Sequence, residues 1–271
     1  MSAVAHRREI KRLVRILASG SLEDLGAIPW ASPVMMFGRL GMSRVATLGL
    51  NPSNLEFVDA RGAQLQDPLH RFETLSTLQL DSWADAAKEH IERVWLACDM
   101  YFSRRPYNGW FKPLDRVVNG LNVSYYDAWS PACHLDLVPF ATGQKWSSLA
   151  PDVKQGLLEL GAETLVRSIA TSPICVLVLN GAMVVRTFER VLREPLEVTS
   201  MPAWTLGRNG ASPVQGFAYR GMVTELGGMD LGRELLVLGF NHNIQSSFGV
   251  TREAVTSISE WIAKQGKGVL A

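Results

Sequence analysis

The chain has 271 residues, 47% hydrophobic and 20% charged, with 27 Lys plus Arg against 26 Asp plus Glu and a formal net charge of +1. That composition belongs to a globular chain long enough to bury a sizeable core, which excludes a disordered one, and the charge neither demands nor forbids a nucleic-acid partner. Cys98, Cys133 and Cys175 are odd in number and far apart, so neither a disulfide framework nor a C-x-x-C metal knuckle is on offer and a reducing compartment is expected.

In chain order, residues 1–17 carry His6, Arg7, Arg8, Glu9, Lys11, Arg12 and Arg15 among aliphatics. This is a basic amphipathic helix without the apolar core of a signal peptide. No run approaches the ~20 apolar residues of a membrane span, so a cytoplasmic protein with no membrane partner is expected. Four apolar runs bounded by Gly, Pro or polar residues read as buried strands: 44–50, 133–140, 174–179 and 234–240. Helical spacing fills 81–103, 153–169 and 183–192, and a last helix is predicted over 251–264, with Thr251 as N-cap and Gly266 past its end. Residues 196–226 have a different texture, rich in Gly and Pro, and read as a loop or hairpin insertion.

Strand and helix in alternation predict a three-layer α/β/α fold around a mainly parallel, four-stranded sheet. No linker divides the chain, so 1–271 is expected to be one domain, with 1–43 as a helical extension and 196–226 as the insertion. In such sheets ligands bind beyond the carboxyl ends of the strands. The residues read Gly49-Leu50-Asn51-Pro52-Ser53 after the first strand, Asp136-Leu137-Val138-Pro139-Phe140 within and after the second, Asn180-Gly181 after the third and Asn241-His242-Asn243 after the fourth.

Taken in order, these turns resemble the uracil-DNA glycosylase superfamily over residues 44–249. That superfamily has a G-x-[D/N]-P motif after the first strand, a base-reading Asn after a central strand, and a His-containing loop after the last. The resemblance implies a glycosylase fold, DNA as partner, no obligate protein partner, and cleavage of the bond between C1′ and a base nitrogen. By position Asn51 would orient the attacking water without taking its proton, since an amide is no general base near neutral pH. His242 would donate to O2 of the leaving base. An Asn-Pro pair after a strand is also a common turn.

Ser53 stands where the uracil-specific branch has a bulky Tyr, leaving room beside C5 of the base; it equally suits a helix N-cap. Asp136 falls at the base-reading position. An ionised carboxylate only accepts hydrogen bonds, which suits the exocyclic amine of cytosine and opposes O4 of uracil or thymine. An Asp at a strand end can equally hold a loop or pair with an Arg. Phe57, favoured by family position over Phe72, would stack on the base, and Asn180 is an alternative reader. Ser247 would contact phosphate, Ile244 or Phe248 would enter the stack, and Lys145 and Arg252, with Arg104, Arg105, Lys112 and Arg208, are further DNA contacts.

Neither a P-loop nor G-x-G-x-x-G occurs and the cysteines lack iron–sulfur spacing, so no cofactor and no metal are expected. No Lys lies in the matched loops to form a Schiff base, which implies a monofunctional enzyme that leaves an abasic site. The expected substrate is a cytosine modified at C5. Some superfamily members excise glucosylated cytosine from phage DNA in bacterial defence, and the resemblance extends to that setting. Two alternatives stand beside this reading: a repair glycosylase for uracil or damaged pyrimidine, and a DNA-binding protein of this fold that does not catalyse.

Overall fold

The computed structural model describes residues 3–208, 210–245 and 250–270. Helix α1 (Ala3–Ala18) buries His6, Glu9, Ile10, Leu13 and Val14, the stripe that its sequence spacing requires. Strand β1 (Val45–Gly49) is buried at every position. Short α2 (Leu75–Leu78) is capped by Thr74, and α3 (Lys88–Asp99) occupies only the middle of the predicted 81–103 helix, with single 3-10 turns at Trp83–Asp85 and Tyr101–Ser103. Helix α4 (Asn108–Val118) follows, then β2 (Ala132–Asp136), α5 (Pro151–Ala170) with Pro at its first turn, β3 (Val176–Asn180) and α6 (Ala182–Leu192). The remaining strands are β4 (Glu197–Ser200), β5 (Leu206–Arg208), β6 (Ala211–Val214), β7 (Phe217–Leu226) and β8 (Met229–Phe240), and α7 (Arg252–Leu270) comes last.

The fold is mixed α/β. Its main sheet has six strands in the order β2-β1-β3-β8-β7-β4, where four were expected, and β5 and β6 form a separate pair. At its centre β1, β3 and β8 run parallel; β7 pairs antiparallel with β8, and β4 antiparallel with β7. The region 196–226 is therefore no simple insertion, because it supplies two strands of the main sheet. The turn that makes this possible is Gly227-Gly228, with φ of 58° and 82°. Positive φ at both central positions of a two-residue hairpin matches strand twist and is open to Gly at no steric cost. Edge strand β4 is exposed along its length, whereas β1 and β3 are wholly buried, the difference between an edge and a doubly covered centre.

Helix α7 runs through Gly266 to Leu270 instead of stopping before it. This glycine serves close packing and not termination: a Cβ there would meet Leu121 Cδ2 at 2.6 Å.

Chain contacts separate two compact units. The first comprises the described residues of Met1–Gly41, Leu50–Pro106 and His134–Ser172, and the second those of Met42–Gly49, Tyr107–Cys133 and Pro173–Ala271. Within the second, α6 packs on β3, β7 and β8, and α7 on α4 and β8. Within the first, α1 packs on α3, and Phe37, Phe72 and Tyr101 form an aromatic core, Phe72 and Tyr101 stacked at 5.1 Å. No helix among the described residues is long and apolar enough to cross a membrane.

Candidate functional site

In the first unit, the chain leaves β1 through Leu50 and Asn51. The Leu50 carbonyl accepts from Val138 N at 2.9 Å, so the segments following β1 and β2 are held side by side. Helix α5 presses on the second of them: a Cβ on Gly161 would lie 2.9 Å from Val138 Cα, so only glycine permits that approach.

The half-buried Asn51 amide is fixed by its nitrogen. Nδ2 donates to Thr142 Oγ1 at 3.0 Å, with longer contacts to the carbonyls of Pro52 and Phe140. Thr142 sends its own hydroxyl proton to Gln144 O at 2.7 Å, leaving a lone pair for Asn51. No described residue donates to Asn51 Oδ1, so this oxygen is an oriented acceptor that can hold a water O–H. Ser53 is exposed, and its hydroxyl accepts from Leu55 N at 3.2 Å to cap the 3-10 turn Asn54–Glu56. Capping and an open side coexist there.

Asp136, the last residue of β2, is 8% exposed and stands 3.3 Å from His134 Nε2. Phe37 exchanges backbone hydrogen bonds with His134 at 2.8 and 3.0 Å and packs edge-on against both the His134 and Tyr101 rings. On the Tyr101 side lies Glu56, a residue that sequence reasoning passed over. It is 3% exposed; Tyr101 OH stands 2.8 Å from each of its carboxyl oxygens, and Arg71 lies 3.8 Å away. Burial pushes its carboxyl up to about 7; Tyr101 and Arg71 oppose that rise, and the negative charge of Asp136 adds to it. The only sequence signal was a charge inside the apolar run Leu55-Glu56-Phe57-Val58, which does not say what the charge faces.

Phe57 is 1% exposed and packed between Trp30 and Phe72. It is a core aromatic with no open face for a base, which corrects the stacking role expected of it. Lys145 is exposed, next to the 3-10 turn Trp146–Ser148.

In the second unit, Asn180 ends β3. The register pairs it with Phe240 of β8, so Asn180 and His242 leave neighbouring strand ends. Gly181, with φ of 99°, makes the turn that starts α6. Asn180 Nδ2 donates to Gln245 Oε1 at 2.9 Å, while Asn180 Oδ1 is buried with no hydrogen-bond partner. A buried acceptor left unsatisfied is costly, so this one is where a ligand N–H would be welcome.

His242 is 4% exposed, with Nε2 2.6 Å from Trp204 O. A carbonyl only accepts, so Nε2 carries the proton. Burial lowers the pKa of the ring, against the raising effect of that hydrogen bond, which keeps it neutral at pH 7. Its one N–H is then spent on Trp204, and Nδ1 can only accept. The expected donation to O2 of a base has no hydrogen to use in this arrangement. Ile244 is 6% exposed, so it is packed and not a protruding wedge. Arg252 is exposed at the first turn of α7. Ser247 and Phe248 lie outside the described residues.

Asn51, Ser53, Asp136, Phe57 and Lys145 thus belong to the first unit, and Asn180, His242, Ile244 and Arg252 to the second. Compared with known proteins, the chain matches no family model and no curated protein.

Proposed function

We propose that the chain is a monofunctional DNA glycosylase that flips and hydrolytically excises a cytosine-type base modified at C5, such as the glucosylated 5-hydroxymethylcytosine of phage DNA, and leaves an abasic site. The observation that carries this reading is the state of Asn51. Its amide nitrogen is tied inward and its oxygen is left as a fixed acceptor on the loop after β1. A water donating one O–H to Oδ1 presents a lone pair to C1′ as the base departs with the glycosidic electrons; the surplus proton passes to solvent. Stabilising a water and a developing cation needs orientation and not basicity, which an amide supplies.

Two further features support the same reading. Asp136 is a buried carboxylate at the end of β2, beside the segment that carries Asn51, and as an acceptor it selects an amine over a carbonyl. Ser53, exposed and small, puts no bulk on the loop where a C5 substituent would lie. A second reading, excision of uracil or a damaged pyrimidine, is favoured by Asn180, whose orphaned Oδ1 suits the N3–H of uracil.

Base release from matched DNAs carrying cytosine, 5-hydroxymethylcytosine, its glucosylated form, uracil or thymine decides between them. Release confined to a modified cytosine, reduced about 100-fold or more by Asn51→Ala and abolished by Asp136→Asn, is expected. Release of uracil alone, lost in Asn180→Ala, would select the second reading. Tight DNA binding with no abasic product from any substrate would leave a protein that binds and does not catalyse.

A further inference from the structure

Beyond the Asn51 loop, the first unit has a concavity of about 550 Å³ lined by Asp67, Pro68, His70, Glu73, Arg93, Leu96, Arg104 and Arg105. Three guanidinium groups face it, and they are not equally engaged. Arg93 Nη2 is committed to Glu73 Oε2 and to Thr77 O, each at 3.0 Å. Glu73 is buried and also accepts from the Thr77 hydroxyl at 2.6 Å, so its charge is answered inside the protein. Asp67 Oδ1 stands 2.7 Å from His70 Nδ1 and is otherwise turned to solvent. Arg104 and Arg105 are exposed and have no carboxylate or hydrogen-bond partner for their side chains among the described residues.

The corner that presents them is not loose. Arg71 donates from Nε to Arg105 O at 3.0 Å and from Nη1 to Leu55 O at 2.8 Å. One guanidinium therefore ties the Arg104-Arg105 corner to the turn that begins at Ser53, two residues after Asn51. Arg71 also stands beside the buried Glu56 carboxyl, which holds it in place.

We infer that this concavity is a phosphate-binding site in which Arg104 and Arg105 grip the oxyanion and Arg93 forms the wall. The guanidinium fork matches two oxygens of a tetrahedral phosphate, and a charge-assisted pair in a concave site is worth more than one on open surface. The source of the phosphate rests on the glycosylase reading: a backbone phosphodiester of DNA, held at a set distance from the Asn51 loop. A free phosphate group would satisfy the same chemistry.

The test uses the full chain and the variants Arg104→Ala/Arg105→Ala, Arg104→Lys/Arg105→Lys and, as a charge control on the exposed face of α1, Lys11→Ala. Binding of a duplex oligonucleotide is measured from low to high salt, and binding of inorganic tripolyphosphate by calorimetry. In the double alanine variant, DNA affinity is expected to fall about tenfold and the slope of log affinity against log salt to become shallower by about 1. The lysine pair should recover the slope but not the full affinity, since it keeps charge and loses the fork. Lys11→Ala should change neither.

If the wild type binds tripolyphosphate and not DNA, and the double alanine variant loses that binding, the site stands with free phosphate as its ligand. Affinity and slope indistinguishable from wild type in the double alanine variant, or no binding of either probe by the wild type, overturns the inference. Base release is scored separately. Loss of the salt effect without base release sinks the glycosylase reading alone; base release with an unchanged slope sinks the phosphate site alone.

Discussion

The two units bury polar groups next to strand ends by different means. In the first unit the buried groups carry charge or can: Glu56 leans on Tyr101 and Arg71, and Asp136 on His134. In the second they are neutral. Asn180 bonds to Gln245 and His242 to the carbonyl of Trp204, and beside them the half-buried Asn241 takes Phe217 N at 2.8 Å while giving to Gln215 O at 2.7 Å. A neutral imidazole and amides held by backbone or by another amide tie loops to strands at less desolvation cost than a charge, the orphaned Asn180 Oδ1 being the exception. Buried carboxylates are expensive to keep and titrate when their surroundings change. The first unit is where chemistry and pH sensitivity are expected; the second is where geometry is kept.

Removing the anchor of the neutral cluster should have the largest effect on stability. Trp204 is fully buried, its indole N–H donates to Ser257 Oγ at 3.0 Å, it packs edge-on against Trp261, and its carbonyl holds His242. Trp204→Ala should cost about 3–5 kcal/mol, read as a lower urea midpoint. An unchanged midpoint would mean that the second unit does not depend on this anchor.

The charged cluster is tested by pH. The carboxyl of Glu56 ordinarily titrates near 4.5 and is pushed up to about 7 in the fold. The folded state thus holds a proton that the unfolded chain has released, so its contribution to stability is present below pH 4.5 and is lost as the pH rises through about 7. The loss approaches roughly 3 kcal/mol. Glu56→Gln should remove that slope while leaving the rest of the pH profile in place. A wild-type stability that does not fall across this window, measured by urea unfolding at closely spaced pH values, would deny the distinction between the clusters.

The smallest effects come from caps. Thr251 Oγ1 accepts from Ala254 N at 3.1 Å at the head of α7, a helix of 19 residues. Thr251→Ala should cost about 1 kcal/mol. Ser53→Ala, which uncaps one 3-10 turn, should cost less than half of that in thermal unfolding while altering the C5 side of the loop. Equal losses would show that the Ser53 turn supports more of the first unit than its single bond indicates.

The central strands were legible because β1, β3 and the end of β8 are continuous apolar runs with β-branched residues, the pattern of strands covered on both faces. The outer strands were legible only in part. The Gly227-Gly228 hairpin turn stood in the sequence, yet β4 and β7 carry exposed and polar positions that read as loop until a sheet edge gives them partners. At the site, the placement of Asn51, Asn180 and His242 at or just beyond strand ends followed from the runs preceding them, whereas Asp136 lay inside the predicted 133–140 run and became a strand end only because β2 stops there. Whether Phe57 faced a ligand or the core did not follow, because one aromatic after a turn fits both.

By itself the sequence determined the α/β class, the parallel centre of the sheet and the turn residues at its strand ends, since periodicity and turn chemistry act over a few neighbouring residues. Tertiary structure alone decided that the sheet has six strands, that His242 donates its N–H to the Trp204 carbonyl, and that Glu56 shares a cluster with Asp136. Those facts join residues distant in the chain: Glu56 and Tyr101 are 45 positions apart and His242 and Trp204 are 38. Burial and charge proximity are sums over such neighbours, and no local pattern contains them.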